Sequence, residues 1–165
     1  MSQNVGQFLT RRAYRDPHLE ATYEPVLDRR LDFAELNARS NQVANALVDL
    51  GVAKGDRVGL LLMNGAEFVE TFFGAGKIGA VNVPLNWRLV ADELEFILSD
   101  AGCRVLVFSA EFAEVVGELR QRGSTAIEHW IQLEGEPAEG VLGYDEWRTA
   151  AADTEPEANA SGDDL

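Results

Sequence analysis

VGLLLMNGAEFVETFFGAGKIGAVNVP, residues 58–84, changes its hydrophobic period twice and so decides the fold. Val58-Gly59-Leu60-Leu61-Leu62-Met63 is a continuous apolar run of strand length, the pattern of a strand buried on both faces. Asn64 then supplies a cap for a helix, with Glu67 three residues on. Phe68, Val69, Phe72 and Phe73 follow at helical spacing and predict a deeply buried face. Small residues close that helix, and 80–84 reads as a second short strand.

The alternation extends outward in both directions. Upstream, Asp32 and Glu35 have the spacing of a capping box, and Phe33, Leu36, Val43, Leu47 and Leu50 line one face of a helix that Gly51 ends. Before it, 19–31 reads as a strand pair turning at Asp28-Arg29-Arg30, and 5–14 as a short helix broken by Asp16-Pro17. Downstream, 91–101 is a helix closed by Gly102. A strand at 104–108 follows, then a helix capped by Ser109 and closed by Gly123, then a strand at 127–133. Four strands thus alternate with three helices. Right-handed crossovers turn that order into an α/β fold, an open, mostly parallel sheet with helices on both faces.

Beyond Leu133 the pattern decays. Residues 134–165 hold ten acids and one arginine, Arg148. A single short helix is expected at 143–151, anchored by Tyr144 and Trp147, and then a linker-like run from Asp153. The expected organisation is an α/β subdomain over 1–133 and an acidic, weakly structured segment over 134–165.

Fourteen basic against 28 acidic residues give a net charge of −14, which repels phosphate backbones and anionic membrane surfaces, so no nucleic acid partner is expected. No apolar stretch approaches the roughly 20 residues of a membrane span, and residues 1–15 hold no signal-peptide core, so a cytoplasmic location is expected. The one cysteine, Cys103, beside Val105-Leu106-Val107-Phe108, reads as a small buried hydrophobe.

Catalytic motifs are scarce. Gly74-Ala75-Gly76-Lys77-Ile78-Gly79 spells G-x-G-x-x-G, but a helix precedes it and a strand follows. A dinucleotide needs the reverse order, with a helix N-terminus facing the pyrophosphate. The glycines are therefore expected to let the helix lie close to the sheet. There is no Walker loop and no nucleophile elbow, and His18 and His129 lie far apart, with no metal-ligand spacing.

Several blocks stand in one order: Leu31-Asp32-Phe33-Ala34-Glu35-Leu36-Asn37, Ala46-Leu47, Leu50-Gly51-Val52, Lys54-Gly55-Asp56-Arg57-Val58, Asn64-Gly65-Ala66-Glu67-Phe68 and Gly79-Ala80-Val81-Asn82-Val83-Pro84-Leu85-Asn86. In order and spacing, over about 5–133, the chain resembles the adenylate-forming enzymes. Asn86-Trp87-Arg88-Leu89 is most similar to the fatty-acyl and aryl acyl-CoA ligases. Asp32 replaces the family's Ser or Thr and caps equally well.

The resemblance implies the N-terminal portion of an AMP-forming acyl-CoA synthetase. Such an enzyme joins a carboxylic acid, here a fatty acid, to ATP as acyl-AMP and passes the acyl group to CoA, with Mg²⁺ as cofactor. Ser161-Gly162-Asp163-Asp164-Leu165 resembles the lead-in to the family's phosphate loop, so ATP binding would fall downstream. The 165 residues alone are then expected to be inactive, to bind none of these ligands tightly, and to self-associate through an uncovered apolar face.

Two site residues carry over from the resemblance. Arg88 matches a position that contacts CoA phosphates in some relatives, the alternative being an ion pair with Asp92 or Glu93. Trp87 either stacks on a nucleotide or covers the sheet edge. No catalytic or metal-binding residue is assigned. The rival expectation is a stand-alone flavodoxin-like or degenerate binding module without ligase activity.

Overall fold

The computed structural model describes residues 4–157. Helix α1 (Gly6–Arg15) leads into a two-stranded antiparallel hairpin, β1 (Glu20–Glu24) and β2 (Arg29–Asp32), and then into the long helix α2 (Phe33–Asp49). A parallel α/β series follows: β3 (Arg57–Leu61), α3 (Ala66–Lys77), β4 (Val81–Pro84), α4 (Ala91–Ala101), β5 (Cys103–Ser109), α5 (Ala113–Arg122) and β6 (His129–Leu133). A two-residue strand, β7 (Leu142–Gly143), and a short helix, α6 (Tyr144–Thr149), complete it.

Five strands form one sheet in the order β4-β3-β5-β6-β7, every neighbouring pair parallel. The expected α/β sheet with helices on both faces is what forms. On one face, Val43, Ala44 and Leu47 of α2, Ala75 of α3 and Tyr144 of α6 pack on Val58, Leu60, Val105, Val107 and Ile131. On the other, Leu94 and Leu98 of α4 and Val116 and Leu119 of α5 pack on Leu61, Leu106 and Phe108. Alternate strand residues serve opposite faces, which is why these strands read as unbroken apolar runs. Gly59 has no side chain because Leu98 and Leu106 close over it, and an added Cβ would stand 3.0 Å from Leu106 Cδ1. No helix of the described residues is long and apolar enough to cross a membrane.

The local punctuation holds at α2, where Asp32 accepts the Glu35 N–H at 2.8 Å and Glu35 accepts the Asp32 N–H at 2.9 Å, a reciprocal capping box. Gly102 and Gly123 close α4 and α5 in the left-handed conformation, as expected of both.

Other details differ. The hairpin turns at residues 25–28, starting three residues earlier than Asp28-Arg29-Arg30, because Arg29 is committed to the ladder and to acids on both sides. Helix α3 is capped at Gly65, not Asn64; its first N–H, that of Ala66, is taken by Glu24 of the hairpin at 2.8 Å. Its aromatic residues are only half-buried, and the fully covered face is Glu70, Thr71, Gly74 and Lys77. Ser109 is extended but caps nothing with its side chain; a 3-10 turn, Ala110–Phe112, intervenes before α5. The fifth strand, β7, was not foreseen, since two residues are too few to carry a period.

Candidate functional site

Strand β3 is interior, second from the β4 edge, and the chain leaves it in opposite directions, first to β4 on one side and later to β5 on the other. In open α/β sheets such a reversal opens a crevice beyond the carboxyl ends of the strands, the usual ligand position. Here that end is formed by Met63 and Asn64 after β3, by Asn86, Trp87 and Arg88 after β4, and by Ser109 and Glu111 after β5. Ser109 Oγ accepts the Met63 N–H at 3.5 Å across the reversal.

Next to it, a cleft of about 610 Å³ lies between the hairpin (Thr22 to Leu27) and the start of α3 (Asn64 to Ala66). Its rim is apolar, with Val26 and Leu27 exposed. Its floor is acidic. Glu24 accepts from Arg29, and Arg29 donates both outer guanidinium nitrogens to Glu67, at 2.5 and 2.8 Å. The Arg29 hydrogen bond outweighs burial and holds the Glu24 carboxyl below the usual range. With Glu24 and Glu67 at its N-terminus, α3 does not offer a phosphate site.

Trp87 and Arg88 sit on the loop between β4 and α4, both exposed. The Arg88 guanidinium lies 4.4 Å from the centre of the Trp87 ring, and Asn86 Oδ1 accepts the Arg88 N–H at 3.0 Å. The alternative ion-pair partners are engaged elsewhere: Asp92 with Arg122 at 2.8 Å, and Glu93 with the Val90 N–H at 3.2 Å. Stacked on indole at the carboxyl end of the edge strand, the guanidinium keeps its donors toward solvent.

A buried polar system lies behind the sheet, and sequence reasoning missed it. Glu70 is fully buried, accepts from Arg39 at 2.5 Å and from the Tyr144 hydroxyl at 3.0 Å, and faces Arg148 Nε at 3.8 Å. Burial first, then the Glu70 charge, pushes the Tyr144 hydroxyl well above its usual range. Lys77, also fully buried, donates to Thr10 at 2.6 Å, to Asn37 at 2.9 Å and to Glu155 at 2.8 Å. Burial pulls the Lys77 ammonium down, with Glu155 opposing. Burial raises Glu155, yet its bonds from Lys77, Asn37 and Thr10 leave it below the usual range.

The same stretch is gripped by α2. Asn45 Nδ2 donates to the carbonyls of Ala152 and Thr154 at 2.7 and 2.9 Å. Asn41 Nδ2 donates to the Asp153 carbonyl at 2.8 Å, and Asn37 Nδ2 to the Glu155 carboxylate at 2.7 Å. The signal was present as Asn37, Asn41 and Asn45, one stripe at four-residue spacing beside the apolar face.

The glycine motif falls where its order required, across the end of α3 and the turn that leads into β4. Its tight contact, however, is with helices, not the sheet: a Cβ on Gly74 would meet the Ser40 carbonyl at 2.8 Å, and one on Gly76 would meet Val5. Its lysine is spent on Glu155. Burial raises the Cys103 thiol to about 11. His18 faces Asp32 at 3.4 Å, and His129 is half-buried in β6. Among the described residues, no group of three His, Cys, Asp or Glu could hold a metal ion. The described side chains therefore do not by themselves fit a Mg²⁺ site.

A parallel sheet with a strand-order reversal and helices on both faces defines the class, an open doubly wound α/β protein. Comparison narrows it: the profile of the AMP-binding enzyme family matches residues 9–165, and the chain belongs to that family. It is 43% identical over 164 residues to the long-chain-fatty-acid–CoA ligase FadD13 of Mycobacterium tuberculosis, covering 98% of this chain and 31% of that protein. Among solved structures it is similar to the anthranilate CoA ligase AuaEII in complex with anthranoyl-AMP, with a TM-score of 0.90, 35% identity, and 97% of this chain and 30% of that one covered. It is likewise similar to the N-terminal domain of FACL13 from Mycobacterium tuberculosis, with a TM-score of 0.89, 41% identity, and 98% and 40% covered. The chain thus spans about three tenths of the curated relative's length.

Proposed function

We propose that this chain is the N-terminal part of an AMP-forming acyl-CoA ligase acting on a fatty acid in the cytoplasm. What supports this is the 43% identity to a long-chain-fatty-acid–CoA ligase across nearly the whole chain, on a sheet of matching shape. In the full-length protein the carboxylate attacks the α-phosphorus of ATP, giving acyl-AMP and pyrophosphate. The CoA thiol then displaces AMP. On this reading residues 1–133 are the α/β subdomain, and the acidic segment 134–165, which lends it β7 and α6, leads toward the phosphate-binding residues. ATP and its Mg²⁺ are then held further along the protein, as the likeness of Ser161-Gly162-Asp163-Asp164-Leu165 to a phosphate-loop lead-in implies; those five residues lie outside the described ones.

This chain's share of the work is to wall the crevice and present Arg88, whose exposed guanidinium suits a CoA phosphate. Trp87 is the platform that orients it. The strand order, in which the first parallel strand lies between the second and the third, is also that of flavodoxin-like sheets and favours the stand-alone module as the second reading. The test is acid-dependent pyrophosphate exchange and thioester formation by the full-length protein, given ATP, Mg²⁺, CoA and a panel of fatty and aryl acids. Acyl-CoA formation with a fatty acid is the expected result. No exchange with any acid overturns the ligase in favour of the module.

A further inference from the structure

The grip on residues 152–155 has two unusual properties. Asn41 and Asn45 bind main-chain carbonyls, so they fix where the chain runs whatever its side chains are. At its end a fully buried ammonium meets a partly exposed carboxylate; leaving that ammonium unpaired would be strongly unfavourable, so Lys77 holds Glu155 in place. Lys77 is spent on Glu155, and the N-terminus of α3 is occupied by acids, so neither is open to a phosphate. On the ligase reading, ATP is bound by chain that follows, and that chain leaves the α/β subdomain through this grip.

We propose that Lys77, Asn37, Asn41 and Asn45 are positioning residues for ATP, acting through residues 152–155. They set the register and direction in which the chain passes from α2 toward the ATP-binding residues. The inference rests on the ligase reading.

The test uses the full-length protein, with KM for ATP in pyrophosphate exchange and Tm measured together. Glu155→Ala strands the Lys77 charge, so Tm falls and KM for ATP rises about tenfold, the scale of a small misplacement remote from the chemistry. Lys77→Met with Glu155→Ala removes the stranded charge. Tm then recovers, KM for ATP stays raised, and KM for the fatty acid is unchanged. Asn45→Ala, at the half-buried C-terminal end of the stripe, raises KM for ATP by a smaller factor at constant Tm. If KM for ATP in the double variant returns to the wild-type value along with Tm, the grip serves stability alone and the inference is overturned. A wild type without acid-dependent exchange overturns the ligase reading instead, and the inference with it.

Discussion

A Cβ built on Gly74 would stand 2.9 Å from the Cβ of Val43, so α3 meets α2 there with no room for a side chain. The nearest atom is the Ser40 carbonyl oxygen, part of a helix backbone that cannot step aside. Gly74→Val should therefore cost about 1–3 kcal/mol through overpacking, read as a lower urea midpoint. Gly76→Ala should be close to neutral. The atom it meets is Val5 Cγ1, which can rotate away, and alanine favours the helix. Saturable NADH binding in the micromolar range would show instead that the glycines cradle a dinucleotide.

Arg88→Ala in the full-length protein should raise KM for CoA by about ten- to a hundredfold, the range for one charge-assisted hydrogen bond. Pyrophosphate exchange should be unchanged, because the residue stands on an exposed loop and braces no other element. An equal fall in exchange and thioester formation would place its effect in the fold.

Stability should decline toward both pH extremes for separate reasons. The Glu24 carboxyl, bonded by Arg29, has a folded pKa below its unfolded value of about 4.3. In acid the unfolded chain then binds the extra proton. The contribution of Glu24 is present above that value and lost as pH falls through the depressed one. Tyr144 is the opposite case: burial raises its folded pKa, so its contribution is whole below about pH 10 and lost as pH climbs beyond. Urea midpoints measured against pH should show a flatter acid limb in Glu24→Gln and a flatter alkaline limb in Tyr144→Phe.

The 165-residue chain by itself should release no acid-dependent pyrophosphate, since its two lysines, Lys54 and Lys77, lie in a turn and in a buried ion pair. It should also self-associate, with light scattering that rises with concentration. Edge strand β4 carries an exposed Val81, and Trp87, Val90 and Phe96 stand exposed beside it. Turnover with any acid would require an ATP site within these residues.

The sheet was legible because its signal is local. Val58 to Met63 and Val105 to Phe108 are apolar without alternation, and only a doubly covered strand needs that. The capping box at Asp32 was equally local. Asn64 does not cap α3 because the helix starts one residue later, at Ala66, and its first N–H is taken by Glu24, 42 residues away from Ala66. The face of α3 was misread for a related reason. Phenylalanines outrank Glu70 and Lys77 on any hydrophobic scale, yet those two are buried because Arg39, Tyr144 and Glu155 reach them from distant parts of the chain. At the carboxyl end of the sheet, Trp87 and Arg88 were legible as a pair only through family likeness, since one exposed cation has no period.

The asparagine stripe also gives the molecule a timetable. Its bonds join residues 107 to 118 positions apart, and Lys77 waits 78 residues for Glu155. At ribosomal speeds of about 5–20 residues per second, that wait lasts roughly 4–16 s. Throughout it the sheet's first strands can pair while the lysine pocket stays wet and the groove on α2 lies empty. Maturation of the N-terminal helices is thus coupled to the arrival of a late segment, and the nascent chain carries an open polar seam until residue 155 is delivered to close it.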